Sequence, residues 1–185
     1  MREYCTSGSV RGRWVTGVPT AEASRFSHFN YTESMKVYAD TSVFGGVFDE
    51  KFAQDSRQFF EDILAGKFTL VVSALVEEEI ESAPEFVRDH FKRFAASSEL
   101  AEISPAVLDL RDAYLIADIV TPKSTDDATH VAIATISQCE IIVSWNFKHI
   151  VHFQKIPKYN AVNALHGYRS INIYSPSEVI SYDES

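Results

Sequence analysis

Short apolar runs alternate with segments of helical periodicity from Met35 onward. Apolar runs predict β-strands at 37–39, 68–73, 140–144 and 171–174. Residues with a period near 3.6 predict helices that start near Asp55 or Ser56 and stop at Gly66, and that cover 75–82, 85–96, 105–117, 125–138 and 161–166. Strands that alternate with helices predict an α/β fold, in which helices cover both faces of a central parallel sheet.

The first part of the chain lacks this pattern. Residues 1–34 carry arginines and glycines without a sustained apolar period, so we expect a poorly ordered extension before a domain at 35–185. An artefactual upstream start, with Met35 as the true first residue, is a further interpretation of this pattern. The other interpretation is an N-terminal helix between Ala21 and Phe29.

Composition and charge limit the class of protein and the cellular compartment that we expect. The chain has 185 residues, enough for one domain, and no apolar run approaches the roughly 20 residues that span a bilayer. Its two cysteines are too few for a disulfide framework, and we expect a reducing cytoplasm and no membrane. The formal net charge of −9 argues against broad affinity for nucleic acids. A nuclease is still allowed, because carboxylates around a metal make a protein acidic.

Carboxylates lie where the predicted strands end. Asp40 follows the first strand, a group of glutamates lies in the helix after the second strand, and Asp127 is in the first turn of the long helix at 125–138. Ligands of open α/β sheets bind beyond the carboxyl ends of the strands. We therefore expect these side chains to converge at one edge of the sheet.

Helical phase selects among the acidic residues. At about 100° per residue, Glu79 falls within an apolar stripe that includes Leu75, Val76 and Ile80. The neighbouring glutamates at 77, 78 and 81 fall on the opposite, solvated side. Asp127 likewise shares its phase with apolar residues, whereas Asp126 does not. His130 is better interpreted as a partly buried, hydrogen-bonded histidine than as a metal ligand.

Three converging carboxylates require a cation or a shared proton. Two charges about 4 Å apart repel by roughly 4 kcal/mol at an effective dielectric constant near 20. Ligands that are all oxygen favour Mg²⁺ or Mn²⁺ over zinc, and the chain has no Cys/His set at zinc spacing. Glycine-rich phosphate loops and a Gly-x-Ser-x-Gly nucleophile motif are also absent from the sequence. Hard cations held by carboxylates favour phosphodiester cleavage.

Four sequence segments together resemble the motifs of PIN domains. They are Tyr38–Val43, Val72–Ile80, Asp127–Ala134 and Ile142–Ile150. The resemblance implies a small three-layer α/β/α domain with an acidic Mg²⁺ pocket. It extends to the VapC toxins, which cleave RNA and are neutralised by an antitoxin that covers the pocket.

The resemblance also implies roles for individual residues. Asp40, Glu79, Asp127 and Asn146 match catalytic positions, and the three carboxylates match metal ligands. Many relatives have aspartate where this chain has Asn146, and an amide cannot carry negative charge. This difference weakens the case for a second tightly bound metal more than the case for the first.

Two serines adjoin the predicted pocket. Ser42 and Ser144 follow strand ends, where their hydroxyls either hydrogen-bond the carboxylates or simply cap the strands. Both interpretations are open.

A basic and aromatic segment follows the third predicted strand. Lys148, His149, Lys155 and Lys158 are candidate RNA-binding residues, because phosphates pair with lysines. Bases would stack on the interleaved aromatic residues, which are Trp145, Phe147, Phe153 and Tyr159. The alternative is a half-buried connector whose aromatic side chains belong to the core.

The carboxylates and the resemblance together favour an endoribonuclease that depends on Mg²⁺ or Mn²⁺. The resemblance implies that it acts as a toxin, with an RNA substrate, an antitoxin partner and a homodimeric assembly. A PIN nuclease outside a toxin–antitoxin pair, which acts in RNA processing or on structured DNA, is a second hypothesis. A catalytically inactive PIN scaffold that binds partners is a third.

Overall fold

The computed structural model describes residues 34–180. A five-stranded, all-parallel sheet in the order β3-β2-β1-β4-β5 runs through this range. The strands are β1 (Met35–Ala39), β2 (Phe68–Ser73), β3 (Glu99–Ala101), β4 (Ile141–Val143) and β5 (Asn172–Tyr174). The prediction of an α/β fold with a central parallel sheet is confirmed. The predicted extension, including the alternative helix between Ala21 and Phe29, lies outside the described residues.

Helices connect the strands, and a last short helix follows β5. They are α1 (Thr41–Gly46), α2 (Ala53–Leu64), α3 (Ala74–Glu81), α4 (Glu85–Ala95), α5 (Pro105–Ile116), α6 (Thr125–Ile136), α7 (Ile156–Leu165) and α8 (Pro176–Val179), with a 3-10 turn at Pro122–Ser124. None of the helices between residues 34 and 180 is long and apolar enough to cross a membrane.

Strand β1 lies at the centre of the sheet and brings distant parts of the chain together. It pairs with β2 on one side and with β4 on the other, where Ala39 is the partner of Val143. The backbone N–H of Asp40 continues this ladder by donating to the carbonyl of Val143 at 3.2 Å. The carboxyl ends of β1, β2 and β4 therefore lie side by side, and the following residues share one edge.

Three elements were not predicted from the sequence. Strand β3 has only three residues and two of them are exposed, so it shows no apolar run. Helix α8 is four residues long. Helix α1 ends in Gly45-Gly46, a pair that favours turns over helices. Each element is too short or too weak in propensity to leave a periodic signal.

Two helix starts were predicted wrongly. Helix α2 begins at Ala53, before the predicted cap, because the Ser56 hydroxyl is buried and accepts a hydrogen bond from the Trp145 indole Nε1–H at 2.9 Å. Helix α7 begins at Ile156, five residues before the predicted start at 161, with Pro157 in its first turn. Proline is favoured there because its missing N–H has no helical partner to lose.

Helix α1 approaches the chain after β4 closely at Gly46. A Cβ atom placed on this glycine would lie 2.6 Å from Ser56 Oγ and 2.7 Å from Trp145 Nε1. Only glycine fits such a contact without displacing its neighbours. The close contact packs α1, and the chain that leaves Asp40, against Trp145.

Candidate active site

Asp40 is held between two serine hydroxyls at the end of β1. Ser42 Oγ donates to its Oδ1 at 2.6 Å, and Ser144 Oγ donates to its Oδ2 at 2.9 Å. The side chain is almost fully buried. Burial raises the pKa of Asp40 above its usual value, and the charge of His130 and the two serine hydrogen bonds oppose this only in part.

Both serines also bind the chain that follows β4. Ser42 Oγ accepts from the backbone N–H of Trp145 at 2.8 Å, and Ser144 Oγ accepts from that of Asn146 at 2.8 Å. Each hydroxyl therefore donates to Asp40 while it accepts from a backbone N–H. Contact with the carboxylate and capping of the strand end, which the sequence left as alternatives, occur together.

Glu79 is the partly buried glutamate of α3, and Glu77, Glu78 and Glu81 are exposed. Its Oε2 accepts hydrogen bonds from Thr41 Oγ1 and from His130 Nε2, the latter at 3.2 Å. Burial alone would raise the pKa of Glu79. The hydrogen bond and charge of His130, together with the Thr41 hydroxyl, outweigh it, so the pKa lies below the usual value.

Asp127 lies in the first turn of α6 and is partly buried, whereas the adjacent Asp126 is exposed. Its Oδ1 accepts a hydrogen bond from the side-chain amide of Asn146. The amide oxygen of Asn146 in turn accepts the backbone N–H groups of Lys148 and His149 at 3.2 and 3.0 Å. The chain after β4 thus orients the amide toward Asp127.

The three carboxylates share one edge of the sheet without forming a closed cluster. Across residues 34–180, no three His, Cys, Asp or Glu side chains are grouped closely enough to hold a metal ion. Each carboxylate has its own donors instead: Ser42 and Ser144 for Asp40, Thr41 and His130 for Glu79, and Asn146 for Asp127. The donor set nevertheless fits a hard divalent cation, because all three candidate ligands are carboxylates and two are partly open to solvent.

A group of basic residues borders Asp127. Lys155 Nζ donates to His149 Nδ1 at 3.0 Å, and His149 Nε2 lies 3.3 Å from Ser124 Oγ. Lys148 and Lys158 are exposed. Partial burial lowers the pKa of Lys155, and the charges of Lys148 and Lys158 lower it further, while Asp127 opposes both effects. The four candidate RNA-binding residues are therefore neighbours in space.

The aromatic residues of this segment divide into two groups. Tyr159 is fully buried in the core, so its expected availability for base stacking is wrong. Phe153 is 89% exposed and Phe147 is 47% exposed. Trp145 is stacked on Phe52 at a centroid distance of 4.3 Å, which leaves little of its face for a ligand.

Sequence reasoning gave no role to Thr41 and Tyr38. Thr41 binds Glu79, and its position directly after Asp40 was the only signal that could have pointed to it. Tyr38 binds both Ser73 and His130, but it lies inside an apolar strand and its pattern is that of a core residue.

A family model for the PIN domain matches residues 37–150. The match covers more than half of the 185 residues, and the chain belongs to the PIN domain family. The resemblance found in the four sequence motifs is thereby confirmed. Members of this family are generally nucleases and typically use divalent metal ions.

The fold is similar to that in a crystal structure of VapBC2 from Rickettsia felis bound to a DNA fragment from their promoter. The TM-score is 0.53 at 15% sequence identity, and the match covers 76% of this chain and 98% of that chain. At this identity the likeness concerns the fold alone. A comparison with curated protein sequences finds no match.

Proposed function

We propose that this PIN domain is an endoribonuclease that depends on Mg²⁺ or Mn²⁺ and acts as the toxin of a toxin–antitoxin pair. The observation that carries the proposal is the alignment of Asp40, Glu79 and Asp127 along one edge of the sheet, each held by its own hydrogen-bond donors. These hydrogen bonds restrict the rotation of the carboxylates. Catalytic sites depend on groups that are held in place before the reaction in this way.

The cation and the protein side chains would have different roles in the reaction. A bound divalent cation supplies Lewis acidity and lowers the pKa of a water molecule. Asp40, Glu79 and Asp127 would hold it. Ser42 and Ser144 keep both oxygens of Asp40 in place, and Asn146 orients Asp127.

The basic group beside Asp127 supports RNA as the substrate. Lys148, His149, Lys155 and Lys158 would contact phosphates next to the pocket. Phe147 and Phe153 have exposed rings on which unpaired bases can stack. A local basic surface of this kind offsets the long-range repulsion that follows from the net charge of −9.

A cleavage assay on single-stranded RNA tests the proposal. We expect cleavage with Mg²⁺, none with a chelator, and none by the variants Asp40→Asn and Asp127→Asn. Asp126→Asn is the matched control, because this exposed aspartate precedes Asp127 in the same helical turn. If wild-type protein fails to cleave RNA with either Mg²⁺ or Mn²⁺, the proposed activity is wrong.

An inactive PIN scaffold is the second candidate. The hydrogen bond from Asn146 to Asp127 favours it, because a neutral amide occupies one of the oxygens that a metal would need. Cleavage of structured DNA in place of single-stranded RNA would instead support a PIN nuclease outside a toxin–antitoxin pair.

The proposed partners are an antitoxin and a second copy of the chain, in the cytoplasm. The similar Rickettsia structure contains a VapBC2 complex, and an antitoxin would be encoded by a small neighbouring reading frame. For a homodimer, Ile116 and Leu165 are 87% and 84% exposed beside a groove between α5 and α7. Co-purification with the neighbouring gene product tests the antitoxin, and light scattering of Ile116→Asp against wild type tests the dimer.

A further inference from the structure

A continuous chain of buried hydrogen bonds leads from the sheet to Glu79. Tyr38 Oη lies 2.8 Å from Ser73 Oγ and 2.8 Å from His130 Nδ1. The other nitrogen of His130, Nε2, lies 3.2 Å from Glu79 Oε2. Tyr38 and Ser73 are fully buried and His130 is 3% exposed, whereas the side chain of Glu79 is 32% exposed. This series of hydrogen bonds thus begins in the core and ends at the candidate active site.

When Glu79 is ionised and His130 is neutral, the chemistry of these two groups sets the direction of the hydrogen bonds. An ionised carboxylate only accepts, so Nε2 of His130 must carry the proton that binds Glu79. In the neutral imidazole Nδ1 is then an acceptor, and it takes the hydrogen of the Tyr38 hydroxyl. Ser73 in turn donates to the tyrosine oxygen. Every polar side-chain atom of Ser73, Tyr38 and His130 has a partner, as a buried network requires.

We infer that His130 is a positioning residue of the candidate active site, which holds the carboxylate of Glu79 in place and is itself oriented by Tyr38. The inference rests on the proposed function, because a fixed carboxylate at Glu79 matters only if the site binds a cation. It assigns His130 neither to the metal nor to the substrate.

Glu79 needs positioning because its side chain is long and flexible. Glutamate has several rotatable bonds, and ordering such a side chain costs rotamer entropy. Glu79 is the most mobile type of carboxylate in the site, since Asp40 and Asp127 have shorter side chains. Thr41 and His130 bind the same oxygen, Oε2, which leaves Oε1 without a hydrogen bond among residues 34–180. Oε2 is therefore held in place, and Oε1 is available to a cation.

A second buried network offers a control for plain destabilisation. The Tyr114 hydroxyl donates to Asn163 Oδ1, and Asn163 Nδ2 donates to Thr135 Oγ1 at 3.3 Å. It is built like the Tyr38 network and joins α5, α6 and α7, but none of its three members hydrogen-bonds a candidate metal ligand. Tyr114→Phe therefore removes a buried hydroxyl without affecting Glu79.

Two substitutions of His130 separate positioning from packing. The amide nitrogen of glutamine reaches about as far as Nε2 of histidine, whereas that of asparagine reaches only as far as Nδ1. His130→Gln thus keeps a donor for Glu79, and His130→Asn keeps only the contact with Tyr38. Tyr38→Phe leaves the imidazole in place without its orienting partner.

Kinetics and cation binding provide the first measurements. We expect His130→Asn to lose at least tenfold in kcat with little change in KM, and to bind Mn²⁺ at least several-fold more weakly by calorimetry. His130→Gln should recover most of both, Tyr38→Phe should be intermediate, and Tyr114→Phe should match wild type. Equal losses for His130→Gln and His130→Asn, or an equal loss for Tyr114→Phe, would overturn the inference.

Nitrogen NMR of the imidazole provides a measurement that needs neither metal nor RNA. In wild-type protein with neutral His130, we expect the proton on Nε2, and Glu79→Gln should weaken this preference. A proton on Nδ1 in the wild type would overturn the inference even if the enzyme is active. Absence of RNA cleavage with a proton on Nε2 would instead overturn the proposed function and leave the positioning of Glu79 supported.

Discussion

Asn146 donates its side-chain amide to the carboxylate of Asp127. The amide can do so because the backbone N–H groups of Lys148 and His149 hold its oxygen on the other side. The donor that hydrogen-bonds Asp127 is therefore a neutral amide and not a charged group. Replacing the amide by a carboxylate would remove the donor and add a repulsive charge.

Asn146→Asp should accordingly make the folded protein more dependent on divalent cations. Without metal we expect a loss of about 1–3 kcal/mol in the free energy of unfolding, because an interaction is replaced by like-charge repulsion. Mg²⁺ should recover this loss, since a ligand that binds only the folded state stabilises it. Urea denaturation with and without Mg²⁺ measures both effects. A variant as stable as wild type without metal would contradict the expectation.

Asp40→Asn should change stability in a manner that depends on pH. The pKa of Asp40 is raised by burial, so the folded state binds this proton more tightly than the unfolded state. Ionised Asp40 therefore costs stability at neutral pH, and the cost disappears as the pH falls through the raised pKa. Without metal, we expect Asp40→Asn to be more stable than wild type near pH 7.

The difference between Asp40→Asn and wild type should shrink as the pH falls toward about 4, near the ordinary pKa of aspartate. Denaturation curves at several pH values measure it. The variant should also lose the increase in melting temperature that Mg²⁺ or Mn²⁺ gives the wild type. A stability difference that stays constant over this pH range would show that Asp40 does not titrate as expected.

The glutamates of α3 should differ sharply in their effect on catalysis. Glu79→Gln keeps the shape of the side chain but removes the charge, and we expect at least a tenfold loss of cleavage rate, or about 1.4 kcal/mol of barrier. Glu77→Gln and Glu78→Gln alter exposed side chains and should remain near wild type. Rates at one Mg²⁺ concentration decide the matter. If Glu78→Gln is the inactive variant, the assignment of Glu79 is off by one residue.

Two adjacent glycines provide a test of the packing around α1. Gly46→Ala would place a methyl group 2.6 Å from Ser56 Oγ and 2.7 Å from Trp145 Nε1, and we expect a loss of about 1–3 kcal/mol from overpacking. Gly45→Ala meets no atom within 4 Å and should be neutral or stabilising by up to about 1 kcal/mol. Thermal denaturation of both variants measures the contrast. Equal stabilities would mean that α1 is not packed against Trp145 in this way.

The proposed domain boundary predicts that a chain starting at Met35 folds and keeps its activity. The PIN match begins at residue 37, and the sequence of residues 1–34 has no packing pattern. Melting temperature and RNA cleavage of the shortened chain should equal those of the full chain. Aggregation or a much lower melting temperature would place the boundary elsewhere.

The sequence predicted the elements that carry a long pattern. Strand β2 was predicted with its observed ends, and α5 and α6 were predicted within about two residues, because apolar periodicity reports burial directly. The phase of α3 likewise separated Glu79 from its neighbours. Elements without such a pattern, such as α1 with its paired glycines, were missed.

Contacts between distant residues could be predicted only in part. The strand ends indicated which carboxylates share an edge, but not which donors hold them. Tyr38 and Tyr159 show this limit, since both are buried tyrosines whose hydrogen-bond partners the sequence does not indicate. Tyr38 binds Ser73 and His130, whereas Tyr159 donates to the backbone carbonyl of His149 at 3.1 Å. Only the folded structure brings these partners within reach.

The hydrogen bond between Ser144 and Asp40 joins residues 104 positions apart. Closing a loop of this length costs entropy before the contact can stabilise the folded state. We therefore expect this part of the sheet to form late in folding. During synthesis at roughly 5–20 residues per second, several seconds separate the appearance of Asp40 from that of Ser144. A ribosome-bound chain cut short before β4 would lack both Ser144 and Asn146. All residues of the candidate active site are therefore present only after most of the domain has been synthesised.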